Sequence, residues 1–237
     1  MTQETPSAVR LAYRYVYGTG SAVKRNGRYI SPTDLVRSAP RWWRAQKSNA
    51  SPLDQRIPWL AFRVIDRLEA YLRTGMRVFE FGAGGSTVFF VDRSCSVVSA
   101  EHDPEWATAV EAAIDVDADW TLHRVEPDGV DPDGDPSDPQ TYVSSRGREV
   151  FRTYAETIDS YPDRWFDLVS VDGRARPACL RHAIPKVKPG GLLLLDNSDF
   201  AKYERGKDLV DVLGWPRDDL AGANPARFSR TTIWTRL

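Results

Sequence analysis

The chain has 237 residues, of which 41% are hydrophobic and 27% charged, values that are ordinary for a globular protein and sufficient for one α/β domain with an extension. No run approaches the roughly 18 apolar residues that a bilayer span needs, and the N-terminus lacks the apolar core of a secretory signal, so we expect neither. The net charge of −1 argues against a nucleic-acid partner, and two cysteines far apart in sequence, Cys95 and Cys179, favour a reducing, cytoplasmic location.

Residues 1–55 are predicted to form a partly helical N-terminal extension or cap that is rich in basic side chains. Within residues 1–50, only Glu4 and Asp34 oppose these bases. The bases are Arg10, Arg14, Lys24, Arg25, Arg28, Arg37, Arg41, Arg44 and Lys47. Because they are scattered, we interpret them as a solvated face; contact with a membrane surface, a nucleic acid or an acidic substrate is the alternative.

The secondary structure of the extension is predicted from local patterns. The first 30 residues are a strand or a frayed arm, since Leu11, Tyr13, Tyr15 and Tyr17 alternate with other residues. The dipeptide Ser31-Pro32 is expected to begin a helix that ends near Gln46, and a linker or cap loop is expected over residues 47–55.

From residue 77 onward, apolar strands alternate with helices. Predicted strands cover residues 77–81, 96–101, 120–125, 166–171 and 191–195. Predicted helices cover residues 57–73, 86–93, 103–114, 148–158 and 175–187. Residues 127–139 are rich in Asp, Pro and Gly and are predicted to be an exposed loop, while the β-rich tail, residues 227–237, is expected to supply a last strand. We therefore predict a doubly wound, Rossmann-like α/β domain with a mostly parallel sheet over residues 56–237.

The stretch Val78–Thr87 combines a buried strand, an acid, a glycine-rich turn and the beginning of a helix. Glycine lets the backbone approach a ligand closely, and a helix start presents unpaired N–H groups, so the stretch is typical of a nucleotide-cofactor site. A dinucleotide fingerprint requires a small residue where Thr87 stands, and Glu80 would repel a pyrophosphate but could accept hydrogen bonds from a cationic amino-acid group. These departures favour S-adenosyl-L-methionine (SAM) over NAD.

An acid stands at the carboxyl end of each of four predicted strands: Glu80, Glu101, Asp172 and Asp196. Ligands of open α/β sheets bind beyond these strand ends, and clustered carboxylates repel unless a ligand or donor satisfies them, so we expect one site here. Glu101, 19 residues past Gly82, is predicted to accept hydrogen bonds from both hydroxyls of a ribose.

Four segments, in their order and spacing, resemble the class I SAM-dependent methyltransferases. They are VFEFGAGGST (78–87), VVSAEHDPEW (97–106), FDLVSVDGR (166–174) and VKPGGLLLLDN (187–197). The resemblance covers residues 76–200 and implies a seven-stranded sheet with a reversed last hairpin. The SAM-binding residues that it implies are Glu80, Phe81, Gly82, Ala83, Gly84, Ser86, Thr87, Glu101, His102 and Asp172.

A finer resemblance concerns the catechol and caffeoyl-CoA O-methyltransferases and the metal-dependent sugar O-methyltransferases, which bind Mg²⁺ at these strand ends. It implies Asp172, Asp196 and Asn197 as ligands, and such oxygen ligands suit Mg²⁺, which would hold an acceptor hydroxyl and lower its pKa. The catechol group has a lysine base three residues after the first acid, where this chain has Ala175. The candidates for a catalytic base are therefore Asp172, Asp199 and His102.

The predicted function is methyl transfer from SAM to a small molecule, at a hydroxyl oxygen. An aminopropyl transferase of the spermidine-synthase type would share the fold and use decarboxylated SAM, but Glu80 argues against it because it suits the amino group of intact SAM. The acidic middle of the chain and the lack of an Asn-Pro-Pro-Tyr motif disfavour nucleic-acid methylation. A non-catalytic binding protein is the third alternative. The acceptor and the oligomeric state stay open, and a dimer is compatible with the sequence.

Overall fold

The computed structural model describes residues 7–48 and 50–237, so Glu4 of the predicted extension and Asn49 of the predicted linker lie outside the described residues. The helices of the described chain are α1 (Ala8–Asn26), α2 (Pro32–Ser48), α3 (Pro52–Gln55), α4 (Phe62–Tyr71), α5 (Gly85–Val91), α6 (Pro104–Ala113), α7 (Arg152–Glu156), α8 (Arg176–Ala183) and α9 (Glu204–Asp211). No helix among them combines the length and the apolar character that a membrane crossing demands.

Seven strands form one sheet in the order β3-β2-β1-β6-β7-β9-β8, in which β9 runs antiparallel to the other six. The strands of this sheet are β1 (Arg77–Phe81), β2 (Ser96–Glu101), β3 (Trp120–Arg124), β6 (Phe166–Val171), β7 (Val187–Leu195), β8 (Arg217–Ala223) and β9 (Phe228–Thr235). A separate small hairpin pairs β4 (Gly129–Val130) with β5 (Glu149–Val150). The predicted Rossmann-like fold and the reversed last hairpin are confirmed.

The sheet is covered on both faces, because its central strands send apolar side chains alternately to two cores. Along β1, Phe79 and Phe81 enter one core, and Val78 enters the other. The same division separates Leu193 from Leu192 in β7. An unbroken apolar run is therefore the expected composition of these strands, since neither side chain direction meets water.

The strand order reverses between β1 and β6, which are parallel neighbours although 84 residues separate the end of one from the beginning of the other. At such a switch point the connections leave in opposite directions and open a crevice beyond the carboxyl ends of the strands. The ends of β1, β2, β6 and β7 therefore define the edge of the sheet where a ligand can enter.

The prediction of a strand or frayed arm at the N-terminus is wrong, because residues 8–26 form α1. Leu11, Tyr15 and Ala22 face the protein, and this spacing is helical. Tyr13 and Tyr17 lie on the outer face, each 69% exposed, so the tyrosine alternation that suggested a strand joins residues from opposite sides of a helix.

Four other predicted elements differ from the structure. The helix expected over residues 57–73 begins only at Phe62, because Arg56 is left-handed (φ 52°) and Pro58 disfavours a helical Ile57. The helix expected over residues 148–158 begins only at Arg152, because left-handed Arg148 (φ 60°) is followed by the strand β5. The hairpin of β4 and β5 lies partly within the predicted loop 127–139, and α3 lies within the predicted linker 47–55.

The extension packs directly against the glycine-rich turn. A Cβ atom on Gly85 would lie 2.4 Å from the carbonyl oxygen of Ile57 and 2.6 Å from that of Pro52. Only glycine allows two backbone segments to come this close. Residues 52–59 are thereby held at the carboxyl edge of the sheet, where Trp59 is 40% exposed.

Candidate functional site

One cavity of about 450 Å³ opens at the carboxyl edge of the sheet. One side of it, the glycine wall, consists of Gly82–Ser86, Glu101 and Trp106. Asp172, Arg176 and Asp196 form another side, the charged wall. The cavity thus receives residues from the ends of β1, β2, β6 and β7, and its volume lies in the range typical of small-molecule sites.

The three glycines of the glycine wall differ in whether, and why, the structure requires a glycine at their position. Gly82 is left-handed (φ 96°), and its Cβ would lie 3.1 Å from Cα of Gly173. Gly85 is required by the backbone of the extension. Gly84 is extended (φ 164°), and its Cβ would come no closer than 3.5 Å to the ring of Trp106. Neither packing nor backbone strain within the protein therefore demands glycine at position 84.

Glu101 lies at the end of β2 with 3% of its surface exposed and lines the cavity. Its Oε2 accepts the N–H of Ala83 at 3.0 Å, and its Oε1 accepts the N–H groups of His102 and Asp103 at 2.7 and 2.8 Å. A carboxylate offers about four acceptor positions, so these three bonds leave about one for a ligand. Glu101 therefore fastens the glycine wall as well as facing the cavity.

Glu80 lies behind the glycine wall, 1% exposed, and does not line the cavity. Its carboxylate accepts hydrogen bonds from the hydroxyls of Ser86 and Ser99, each at 2.6 Å, and from that of Thr87. Burial raises the pKa of Glu80 to about 7, against the lowering effect of these donors. The residue predicted to receive the methionine amino group is instead placed where it joins β1, β2 and α5.

Phe81 and Thr87 of the predicted cofactor set are also buried behind the glycine wall, whereas Gly82, Ala83, Gly84 and Ser86 line the cavity. The hydroxyl of Ser86 already donates a hydrogen bond to Glu80. The carbonyl of Ala83 accepts the indole N–H of Trp106 at 2.8 Å. A ligand therefore meets the backbone of this wall and the face of one indole ring.

His102 lines the cavity but is committed to a protein partner. Its Nε2 accepts a hydrogen bond from Nε of Arg174 at 2.8 Å, so a neutral ring carries its proton on Nδ1. That Nδ1 lies 2.7 Å from Oε1 of Glu101, without the alignment of a hydrogen bond. With its acceptor nitrogen occupied, His102 is poorly placed to take a proton from a substrate.

Arg176 is the centre of the charged wall. It donates to the backbone carbonyls of Gly173, Asp196 and Asp172 at 3.1, 2.6 and 2.9 Å, and its Nη2 lies 2.8 Å from Oδ1 of Asp172. The guanidinium thereby joins the ends of β6 and β7. The positive charge of Arg176 therefore lies between Asp172 and Asp196, the two acids at the carboxyl ends of these strands.

The two acids of the charged wall differ in their environments. Asp196 is 3% exposed and accepts the hydroxyl of Thr231 at 2.7 Å. Burial, followed by repulsion from Asp172, raises its pKa to about 7. Asp172 keeps 40% of its side chain accessible from the cavity, and its Oδ2 accepts no hydrogen bond from any described residue. Removal from bulk water raises the pKa of Asp172, and Arg176 opposes this shift.

The predicted magnesium site is not supported by the arrangement of its residues. Arg176 already supplies a cation to Asp172, and Asp196 is bonded to Thr231. Within residues 7–48 and 50–237, no three His, Cys, Asp or Glu side chains are grouped so that they could hold a metal ion. Asn197, left-handed at φ 50°, lines the cavity without adding a carboxylate. The donor set therefore does not fit a divalent cation.

Asp199, the remaining candidate base, lies outside the cavity. Its Oδ2 accepts a hydrogen bond from Nδ2 of Asn26 in α1 at 3.3 Å. Its place is thus between the sheet edge and the extension. Of the three predicted bases, only Asp172 presents an uncommitted oxygen to the cavity.

Several cavity residues were not predicted as site residues, and most of them come from loops. Besides Arg174 and Arg176, they are Trp106, Ser144, Ser145, Arg146, Lys202, Tyr203, Asn224 and Arg227. The loop before β5 supplies Ser144–Arg146, the turn after β7 supplies Lys202, and the turn between β8 and β9 supplies Arg227. Arg174 and Arg176 flank Ala175 in the sequence.

Comparisons with known proteins support the fold. No protein-family model matches this chain, and no curated protein matches it. A solved structure from Klebsiella pneumoniae, provisionally designated an O-methyltransferase, is similar over 96% of this chain and 100% of its own, with a TM-score of 0.52 and 18% identity. A precorrin-6y C5,15-methyltransferase from Geobacter metallireducens GS-15 is similar over 74% of this chain and 87% of its own, with a TM-score of 0.47 and 12% identity. A precorrin 8W decarboxylase from Methanobacterium thermoautotrophicum is similar over 74% and 89%, with a TM-score of 0.46 and 17% identity. At 18% identity, the likeness to the structure from Klebsiella pneumoniae establishes a shared fold alone.

Proposed function

We propose that this protein is a SAM-dependent methyltransferase that methylates a small molecule at oxygen, without a metal ion. The observation that carries the proposal is the cavity itself. It joins a glycine wall, whose Gly84 the protein's own packing does not require, to an acid with a free oxygen, Asp172. A glycine that packing leaves unexplained is expected where a ligand lies against the backbone.

The glycine wall fits the cofactor in three respects. The extended backbone at Gly84 leaves space beside Trp106, Glu101 retains about one acceptor position, and the indole offers a flat apolar surface. When bound, SAM would supply a methyl group on a sulfonium centre. Gly82–Ser86 would hold the methionine part and Glu101 a ribose hydroxyl, while Glu80 would keep the wall rigid from behind.

Asp172 is the group that we assign to the acceptor. As the acceptor oxygen takes the methyl group, its O–H bond breaks and the proton passes to Oδ2 of Asp172. Loss of bulk water raises the pKa of Asp172, which favours its role as a proton acceptor. Arg176 fixes the other oxygen of the carboxylate, so the base is oriented before the acceptor binds.

Titration with S-adenosylhomocysteine tests the cofactor assignment. We expect micromolar binding by the wild type, weaker binding by Glu101→Gln, and unchanged binding by Asp172→Asn. Arg67→Gln is the matched control, since Arg67 is exposed on the outer side of α4. With labelled SAM and a panel of hydroxylated small molecules, Asp172→Asn should lose transfer. No binding by the wild type would refute the proposal.

Aminopropyl transfer remains the second candidate because of one observation. The sequence argument against it relied on Glu80, and Glu80 does not reach the cavity. Competition between S-adenosylhomocysteine and decarboxylated SAM decides between the two functions. Tighter binding of decarboxylated SAM would favour the aminopropyl transferase.

A cytoplasmic location is also a proposal. Cys95 and Cys179 are buried and unpaired, as expected in a reducing compartment. Burial raises the pKa of the Cys95 thiol to about 11, so this thiol is unreactive at neutral pH.

A further inference from the structure

Three cationic side chains line the cavity that Asp172 also lines: Arg146, Lys202 and Arg227. We call them the basic rim. They come from three loops that are distant in sequence, and the Oγ of Ser145 accepts a hydrogen bond from Nζ of Lys202 at 2.6 Å. Asn224 shapes the last of these loops, because its Oδ1 accepts the N–H groups of Ala226 and Arg227 at 2.9 and 2.6 Å.

The basic rim has no acidic partner of its own. Among the described residues, no carboxylate oxygen lies within the 4.0 Å ion-pair distance of Arg146, Lys202 or Arg227. The neighbouring Arg205, by contrast, is paired with Asp135 at 2.9 Å and with Asp138 at 2.8 Å. What distinguishes the basic rim is that its three cations without an ion pair line the same cavity.

The two acids of the charged wall form no ion pair with the rim, although the charges of Asp172 and Arg227 attract each other. Asp172 is already paired with Arg176, and burial favours the protonated form of Asp196. Burial, followed by repulsion from Arg176 and Arg146, lowers the pKa of Lys202. Positive charge is thus crowded here, and like charges held together in a recess are stabilised by an anion that enters it.

We propose that the basic rim binds an oxyanion of the acceptor, a carboxylate or a phosphate, so that the enzyme acts on an acidic small molecule. This inference rests on the proposed methyltransferase function and specifies its substrate class. Two arginines suit either anion because the guanidinium presents parallel donors, while Lys202 adds a point charge. The anion at the rim leaves the hydroxyl of the same molecule beside Asp172, so the rim positions the reacting oxygen.

Matched probe molecules test the inference by titration calorimetry on the protein, once alone and once with excess S-adenosylhomocysteine. One arm compares benzoate with benzamide, and the other compares phenyl phosphate with phenol. We expect at least one anion to bind about tenfold or more tightly than its neutral partner, as charge-assisted hydrogen bonds predict. The arm that shows the preference identifies the anion.

Variants connect the preference to the rim. Lys202→Gln and Arg227→Gln should each remove most of the anion preference, while Arg67→Gln keeps it. Thermal unfolding of each variant checks that the fold is retained. Equal binding of anion and neutral partner in both arms, or a preference that survives both rim substitutions, would overturn the inference.

The outcomes also separate this inference from the proposed function. Binding of S-adenosylhomocysteine without any anion preference refutes the acidic acceptor and leaves the methyltransferase intact. An anion preference that depends on Lys202 and Arg227, in a protein that does not bind S-adenosylhomocysteine, refutes the methyltransferase. The basic rim is then an anion site of another enzyme.

Discussion

Gly84→Ala is expected to weaken cofactor binding without destabilising the protein. The new methyl group would lie 3.5 Å from the Trp106 ring, an ordinary contact, and the extended φ of 164° suits alanine. The N–H of residue 84 can still donate to Oγ1 of Thr87, at 2.8 Å in the wild type. The substitution therefore changes the surface of the cavity and little else.

The magnitudes follow from these contacts. At a compatible backbone position, Gly→Ala stabilises by about 0.4–1 kcal/mol through the unfolded chain, so the unfolding free energy should stay equal or rise. An added methyl group against a fitted ligand costs about 1–3 kcal/mol, which corresponds to a rise in the dissociation constant of about 5- to 150-fold. Stability and binding should thus move in opposite directions.

Two neighbouring glycines provide the controls. At Gly82, alanine meets a left-handed φ of 96°, which costs about 1–3 kcal/mol of stability. At Gly85, the Cβ would lie 2.4 Å from the carbonyl oxygen of Ile57, so the extension must move or the fold is destabilised. Urea unfolding should place both variants below wild type and Gly84→Ala at or above it.

The assay pairs urea unfolding with calorimetric titration of S-adenosylhomocysteine. Wild-type affinity in Gly84→Ala would refute the idea that the cofactor lies against this wall. A loss of stability in Gly84→Ala as large as that in Gly85→Ala would show that the packing at position 84 is not open. Either result is independent of the unknown acceptor.

Three further predictions concern buried charge. Burial raises the pKa of Glu80 from 4.5 to about 7, so the native state binds a proton at this carboxylate more tightly than the unfolded chain does. The unfolding free energy should therefore fall by about 3 kcal/mol as the pH rises from about 4.5 through about 7. Urea unfolding should show this fall in the wild type and not in Glu80→Gln; a difference between the two proteins that does not change with pH contradicts it. Arg176→Met leaves Asp172 and Asp196 without their cation and should cost about 3–5 kcal/mol, and adding Asp172→Asn should restore part of it. Equal melting temperatures of the single and double variants would count against this charge balance. Methyl transfer should be unchanged by EDTA or by added Mg²⁺, since Arg176 supplies the positive charge of the site; a magnesium dependence that disappears in Asp196→Asn refutes this.

The sheet was accessible to sequence reasoning because its strands are apolar on both faces and end in acids. Residues 166–171 were predicted to the residue, and Val187–Leu195 was predicted over its apolar half. The glycine wall and Glu101 were also expected at the carboxyl edge. In each case a local sequence pattern is enough to predict the feature, and tertiary packing does not override it.

The charged wall and the basic rim could not be predicted, since both depend on contacts between distant segments. The sequence predicts Glu80 as a cofactor ligand, whereas in the structure its carboxylate accepts hydrogen bonds from Ser99 of β2 and from hydroxyls of α5. Arg176 follows Ala175 in the sequence, but its position between the ends of β6 and β7 depends on tertiary contacts. Loops such as residues 143–148 carry no periodicity from which their convergence on the cavity could be inferred.

The place of β9 in the sheet has a consequence for biosynthesis. Leu192–Leu195 of β7 pairs with β9 on one side, and β9 follows β8 in the chain although it lies between β7 and β8. Until residues 228–235 have emerged during translation, the apolar edge of β7 has no partner, and an exposed edge of this kind invites pairing with other chains. Nascent chains that stop before Phe228 are therefore expected to aggregate and to recruit chaperones.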